Sequence, residues 1–214
     1  VAQPPLGACP SRTLALDLAT ATGYAFDGPH AGVPVTGLYR VPRSGGTKKD
    51  GLEFGPGFAA FRAWLVAMIG QVKPDILAFE APLQIVHTKH GSGGGAGTSQ
   101  STIRFLFGLA SITEEVGAAL SVETFEQNNS SIKRHFTGSG AADKAAMLRM
   151  CATLRWDVGG DHNRADAAAL WSRIKSMRDP RFAPMSTPLF AVGGKPRPPA
   201  RDCRLPARSK ALTA

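Results

Sequence analysis

Two short, almost wholly apolar runs each carry one carboxylate, and this constrains the chain more than any other feature. Leu14-Ala-Leu-Asp-Leu18 has the density of a strand buried on both faces, with Asp17 inside it. Ile76-Leu-Ala-Phe-Glu-Ala81 repeats the pattern with Glu80. An unpaired carboxylate in such a place costs several kcal/mol, so each needs a cation or a dense set of donors. A third acid, Asp166, stands in Ala165-Asp-Ala-Ala-Ala-Leu-Trp171, an otherwise apolar helical stretch. Any one of the three is as readily explained by a cap or a salt bridge as by a functional site. Three together point to a hard divalent ion held by oxygen ligands, Mg²⁺ or Mn²⁺.

Around these acids the chain reads as alternating strands and helices. Thr13–Ala19 is a strand ending in a break over Thr20–Gly23. Tyr24–Phe26 and Val35–Val41 supply two more strands, and Arg43–Gly57 reads as a Gly/Lys-rich loop. Phe58, Phe61, Leu65 and Met68 fall at helical spacing, with Gly70 as the expected stop. The strand holding Glu80 is followed by a glycine-rich run within His87–Ser101, expected to be a mobile loop. A helix over about 102–119, a strand over about 120–125, and helices over 130–136, 141–156 and from 161 or 163 to 177 complete the pattern. That order predicts an α/β fold, a mixed sheet with helices on both faces. The expected division is a leader over 1–12, one domain over 13–178 and a basic, Pro/Gly/Arg-rich, disordered tail over 179–214.

Composition narrows the function classes. With 43% hydrophobic and 19% charged residues the chain is ordinary globular material. No apolar run approaches the roughly 20 residues that span a bilayer. The N-terminal residues show no basic segment leading into an apolar one, so the expected location is the cytoplasm. Cys9, Cys151 and Cys203 lie far apart without CxxC spacing, which suits incidental reduced thiols rather than a disulfide framework or zinc site. The net charge of +9 is unevenly placed: ten of the 25 Lys/Arg but only two of the 16 Asp/Glu lie from Trp171 onward. A near-neutral body with a basic tail suits attraction to a polyanion, although many such tails only aid solubility.

Four motifs in order resemble the RuvC group of Holliday junction resolvases within the RNase H-like superfamily, with a phage-type flavour in their length and variation. Asp17 before Gly23 and a second strand resembles the family's first motif. Pro74-Asp-Ile-Leu-Ala-Phe-Glu80 resembles its fourth-strand motif. Ile132-Lys-Arg-His-Phe-Thr-Gly-Ser-Gly-Ala-Ala-Asp-Lys-Ala-Ala-Met147 resembles its Thr-Gly-x-Gly turn between two lysines. Asp161-His-Asn-Arg-Ala-Asp-Ala-Ala-Ala-Leu170 resembles the closing motif.

The resemblance implies a five-stranded RNase H-like sheet and a Mg²⁺- or Mn²⁺-dependent endonuclease, with two ions, acting on four-way DNA junctions as a homodimer. It places Asp17, Glu80 and Asp166 as catalytic metal ligands, with the fourth ligand at Asn163, where an acid or His is the expected residue. Asn offers a weaker oxygen, so Asp161, His162 and Asn163 all stay open; Asp161 or Asn163 as a mere helix cap is the plain alternative. Lys144 is placed on the scissile phosphate and Lys133 on neighbouring backbone phosphate, where solvated helix lysines are the ordinary reading. Gly138 and Gly140 are expected to let the chain turn tightly against DNA.

Leu83, Ile85 and Val86 are candidates for an apolar wedge between bases. Phe105, Leu106 and Leu109 suit either a dimer contact or the core, with core the better expectation for most of them. The rival readings are another RNase H-like nuclease, an actin-like nucleotide site (disfavoured by length and the absence of a repeat), and an inert DNA-binding module.

Overall fold

A computed structural model describes residues 11–42, 54–82, 99–179 and 182. The sequence-based expectations for the leader, the loop after Arg43, the glycine-rich segment with Leu83, Ile85 and Val86, the tail, and Cys9 and Cys203 fall largely or wholly outside these residues.

The chain runs β1 (Thr13–Asp17), β2 (Ala21–Asp27), β3 (Pro34–Arg40), α1 (Gly55–Val72), β4 (Ile76–Glu80), α2 (Gln100–Ala119), β5 (Glu123–Gln127), α3 (Asn129–Thr137), α4 (Lys144–Thr153) and α5 (His162–Arg178). The five strands form one sheet in the order β3-β2-β1-β4-β5. β1 pairs antiparallel with β2 and parallel with β4, and β5 joins β4 in parallel. This is the mixed sheet the strand order implied. Among the described residues no helix is long and apolar enough to cross a membrane.

Strand side chains alternate between faces. On β1, Leu14 and Leu16 join Leu77 and Phe79 of β4 in a cluster with Phe61, Leu65 and Leu109 from α1 and α2. Ala15 and Ala78 point the other way, into a cluster with Ile132, Met147 and the alanines of α5. Asp17 and Glu80 continue the second set by parity, so both leave the sheet on the α5 side at the C-terminal ends of their strands. Phe105 and Leu109 are buried in the first cluster and Leu106 packs against it. These three α2 residues therefore serve the core.

The boundaries differ from expectation in places with physical causes. β2 starts at Ala21 rather than Tyr24, so the break is only the turn through Ala19 and Thr20, closed by the Thr22 hydroxyl donating to the Ala19 carbonyl at 2.8 Å. Gly23 lies within the strand, where a Cβ would overlap the backbone carbonyl of Asn163 on α5. Its glycine marks a close helix approach instead of a turn. β5 begins at Glu123, later than expected, because Ser121 takes a left-handed backbone (φ 55). α1 passes through Gly70 and ends at Lys73 in the left-handed region.

Candidate active site

Each candidate residue reaches the C-terminal edge of the sheet by a different local device. Asp17 and Glu80 are the last residues of two parallel neighbours, so register alone sets them side by side. Asp166 sits one turn into α5, whose start is fixed by Asp161: its Oδ1 accepts from the backbone N–H groups of Asn163 (2.9 Å) and Arg164 (3.1 Å). Lys144 is the first residue of α4, behind the Asp143 cap whose Oδ1 accepts from Ala146 N–H at 2.7 Å. Lys133 rides on α3, which ends at Gly138 in the left-handed conformation (φ 82) that glycine adopts freely. A Cβ on Gly140 would stand 3.0 Å from the Ser130 carbonyl, so the turn packs tightly back on α3.

The acids act on one another electrically. Burial holds the Asp17 carboxyl well above its ordinary range; the charges of Glu80 and Asp166 push it the same way, while Lys144 opposes them. Burial also raises Glu80, opposed by a hydrogen bond from Asn129 and the charge of Lys133, with Asp166 adding to the rise. Asp166 is raised by burial against Lys133, Lys144 and His162. Beneath it, the buried Cys151 thiol is pushed up to about 12 by burial and by the negative charge of Asp166. The site is thus a half-buried cluster of mutually repelling carboxyls acted on by two lysines.

The fourth position resolves into three distinct environments. Asn163 donates Nδ2 to the Ala21 carbonyl at 2.8 Å, tying α5 to β2 and leaving Oδ1 as its remaining acceptor. Asp161 spends one oxygen on the helix cap, yet its charge still raises both Asp17 and Asp166. His162 Nδ1 is buried with no hydrogen-bond partner among the described residues.

Sequence reasoning missed Asn129. The first residue of α3, it donates Nδ2 to Glu80 Oε1 across 49 positions of sequence. The local signal, an Asn pair between a strand and a helix, reads only as a cap, and Asn128 is indeed that cap.

The donor set suits a hard divalent cation. It offers half-buried carboxylate oxygens, close enough to repel one another, with no sulfur among them. Among the described residues, no three His, Cys, Asp or Glu side chains stand as a closed ligand cage. The carboxylates are neighbours in charge and not yet a formed coordination shell.

No known family model matches the sequence, and no curated protein matches it. Solved structures do. The fold superposes on T. thermophilus RuvC in complex with Holliday junction substrate with a TM-score of 0.56 and 12% identity, covering 75% of this chain and 90% of that one. It superposes on the yeast mitochondrial Holliday junction resolvase Ydc2 with a TM-score of 0.52 and 15% identity, covering 82% and 84%. The fold is RNase H-like α/β. Its sheet order and helix placement are those of the two resolvase structures it superposes on, as the order of elements implied.

Proposed function

We propose that the chain is a structure-selective endodeoxyribonuclease that cuts four-way DNA junctions by divalent-metal hydrolysis of a phosphodiester, and that it works as a homodimer. The observation that supports this most is the convergence of Asp17, Glu80 and Asp166 from three elements into one half-buried carboxyl cluster opposed by Lys133 and Lys144. A purely structural core has no use for such a cluster, because each added acid raises the cost of ionising the others.

Asp17, Glu80 and Asp166 would hold Mg²⁺ or Mn²⁺, with Asn163 Oδ1 as the neutral fourth oxygen left after Nδ2 binds Ala21. When bound, two such ions would supply a water of lowered pKa and offset charge at the leaving 3′ oxygen, so that hydrolysis would give a 5′ phosphate and a 3′ hydroxyl. The chain's own residues do the rest. Lys144, exposed at the start of α4 with its charge acting on Asp17 and Asp166, would place its ammonium on the phosphate under attack, where charge grows in the transition state. Lys133 holds adjacent backbone phosphate, and Gly138, where a side chain would project into open space, lets DNA approach the turn that Gly140 packs back on α3. Homodimerisation follows from the substrate, since a symmetric junction takes two symmetric nicks.

The test is cleavage of a labelled four-way junction beside linear duplex and RNA–DNA hybrid, with Mg²⁺ or Mn²⁺ and with chelator, for wild type and Asp17→Asn. Paired nicks in the junction alone, lost in the variant and without metal, are expected. Cleavage of the hybrid or of every substrate would move the chain to another branch of the RNase H-like nucleases. A second reading, an inert junction-binding protein, draws on Asn163 being engaged with Ala21 and on the open carboxylate arrangement. Tight junction binding without cleavage under either metal would favour it.

A further inference from the structure

We propose that Asn129 is a positioning residue that fixes one oxygen of Glu80 and thereby sets the affinity of the site for its divalent ion. This rests on the metal-site reading above and adds a residue to it.

The geometry comes from the end of β5. Glu80 and Gln127 are opposed in the parallel register, and the Gln127 carbonyl accepts from Ala81 N–H at 2.9 Å, so the chain leaves β5 directly beside the Glu80 carboxylate. The next two residues are both Asn, but they face different tasks. Asn128 Oδ1 accepts from the Ser130 backbone N–H at 3.0 Å and from the Ser130 hydroxyl at 2.7 Å, which starts α3. Asn129 contributes nothing to that cap and turns its amide N–H onto Glu80 Oε1.

The choice of amide matters chemically. A carboxylate at a strand end has two equivalent oxygens and a rotatable terminal torsion, so an ion must pay to order it. A donor on Oε1 removes that freedom and leaves Oε2 for the ion. A lysine or arginine would order Glu80 as well, but its charge would compete with the cation. A neutral amide orients the carboxylate while keeping its charge available. Partners of this kind behind a metal ligand are worth about 10–100-fold in affinity. Lys133 is the cation that already acts on Glu80, and it does so from α3, on the same element as Asn129. One helix therefore supplies both the orienting donor and the phosphate-facing charge.

The experiment is Mn²⁺ titration of the full chain by calorimetry without DNA, for wild type, Asn129→Ala, Asn129→Gln and Asn128→Ala. Each variant also has its junction affinity measured in chelator and its Mn²⁺ dependence of cleavage recorded. Asn129→Ala should weaken Mn²⁺ binding by about 10–100-fold and raise the Mn²⁺ concentration for half-maximal cleavage by the same factor. Its junction affinity in chelator should match wild type. Asn129→Gln keeps the donor and should recover most of the affinity. Asn128→Ala should lower the melting temperature and leave Mn²⁺ affinity in place.

Wild-type Mn²⁺ affinity in a folded Asn129→Ala protein, or equal weakening by Asn128→Ala, would overturn the positioning role even if the chain cleaves junctions. Mn²⁺ binding that responds to Asn129 in a protein that cleaves nothing would keep the positioning role and reject the nuclease. No Mn²⁺ binding by wild type would reject both.

Discussion

The two faces of the sheet are built from different materials. Toward α1 and α2 the strands offer Leu14, Leu16, Leu77 and Phe79, met by Phe61, Leu65 and Phe105 and flanked by a run of stacked rings that includes Tyr39 and Trp64. Toward α5, β1, β2 and β4 offer Ala15, Ala25 and Ala78 with Ile76 at the far end of β4, met by Ala165, Ala167, Ala168 and Ala169. Large side chains keep a helix at a distance and tolerate adjustment. Alanine against alanine lets backbones approach closely, and at Gly23 even a methyl group would overlap the α5 backbone. The bulky face is a plain core, whereas the small-residue face is a ruler. It brings Asp166 down to the level of Asp17 and Glu80, and the short side chains of Asp require that closeness.

The sharpest way to break this contrast is a methyl on the small-residue face. Gly23→Ala meets a backbone carbonyl and not a flexible side-chain tip, so the expected loss is about 4 kcal/mol or more, the range reserved for severe lesions. Urea unfolding measures it. The matched lesion on the other face, Phe61→Ala, removes a fully buried ring and should cost about 3–5 kcal/mol. Far below its melting point, however, Phe61→Ala should still cleave, while any folded Gly23→Ala protein should not. Equal losses of activity per kcal/mol would show that the two faces are interchangeable and that the spacing of α5 does not govern the site.

The two ends of α5 make a second contrast. At its start the acids face each other. In its last turn Lys175, 2% exposed, meets Asp27 Oδ1 at 2.6 Å and also donates to the Ser11 carbonyl at 2.8 Å, with the Trp171 and Phe182 rings alongside. Asp27 Oδ2 in turn accepts from Thr13 N–H at 2.6 Å. This pair shows what a buried acid in this fold looks like when its role is structural: every oxygen has a partner. Lys175→Met leaves Asp27 uncompensated and should cost about 3 kcal/mol, with part recovered in the double variant that adds Asp27→Asn. Cleavage at low temperature should persist in both. If Lys175→Met alone removed cleavage without loss of stability, the division of α5 into a site end and an anchoring end would fail.

These contrasts also explain which parts of the molecule were legible from sequence. Asp17, Glu80 and Asp166 could be found because each breaks an apolar run, and period-two alternation gives strand side chains their faces. The alternation of strand and helix runs predicts the mixed sheet that the structure shows. Asn129 was hidden because its partner is 49 residues away and its neighbour Asn128 already explains the local pattern. Gly23 was misread because a glycine that permits close packing and one that permits a turn look alike in one dimension. Asn163 was identified by position, but its tie to Ala21 depends on how near α5 lies to β2, a distance that only the alanine-lined layer sets.

The smallest expected effect is on stability, and its sign separates the two kinds of acid. Burial, Glu80 and Asp166 raise the Asp17 carboxyl, so the folded chain keeps a proton that the unfolded chain has already released above about pH 4. The folded state then binds more protons than the unfolded one, and stability falls as pH rises from that point through the raised pKa. Asn cannot ionise. In chelator, Asp17→Asn and wild type should therefore melt together near pH 4 and diverge toward pH 8, where the variant should be the more stable of the two. Adding Mn²⁺ should raise the melting point of wild type and close the gap, because a cation offsets the repulsion that the variant lacks. Parallel melting curves across this range would mean that Asp17 ionises at no cost. The small-residue face would then hold its acids in water, as an ordinary surface does, and the argument that they await a cation would lose its physical basis.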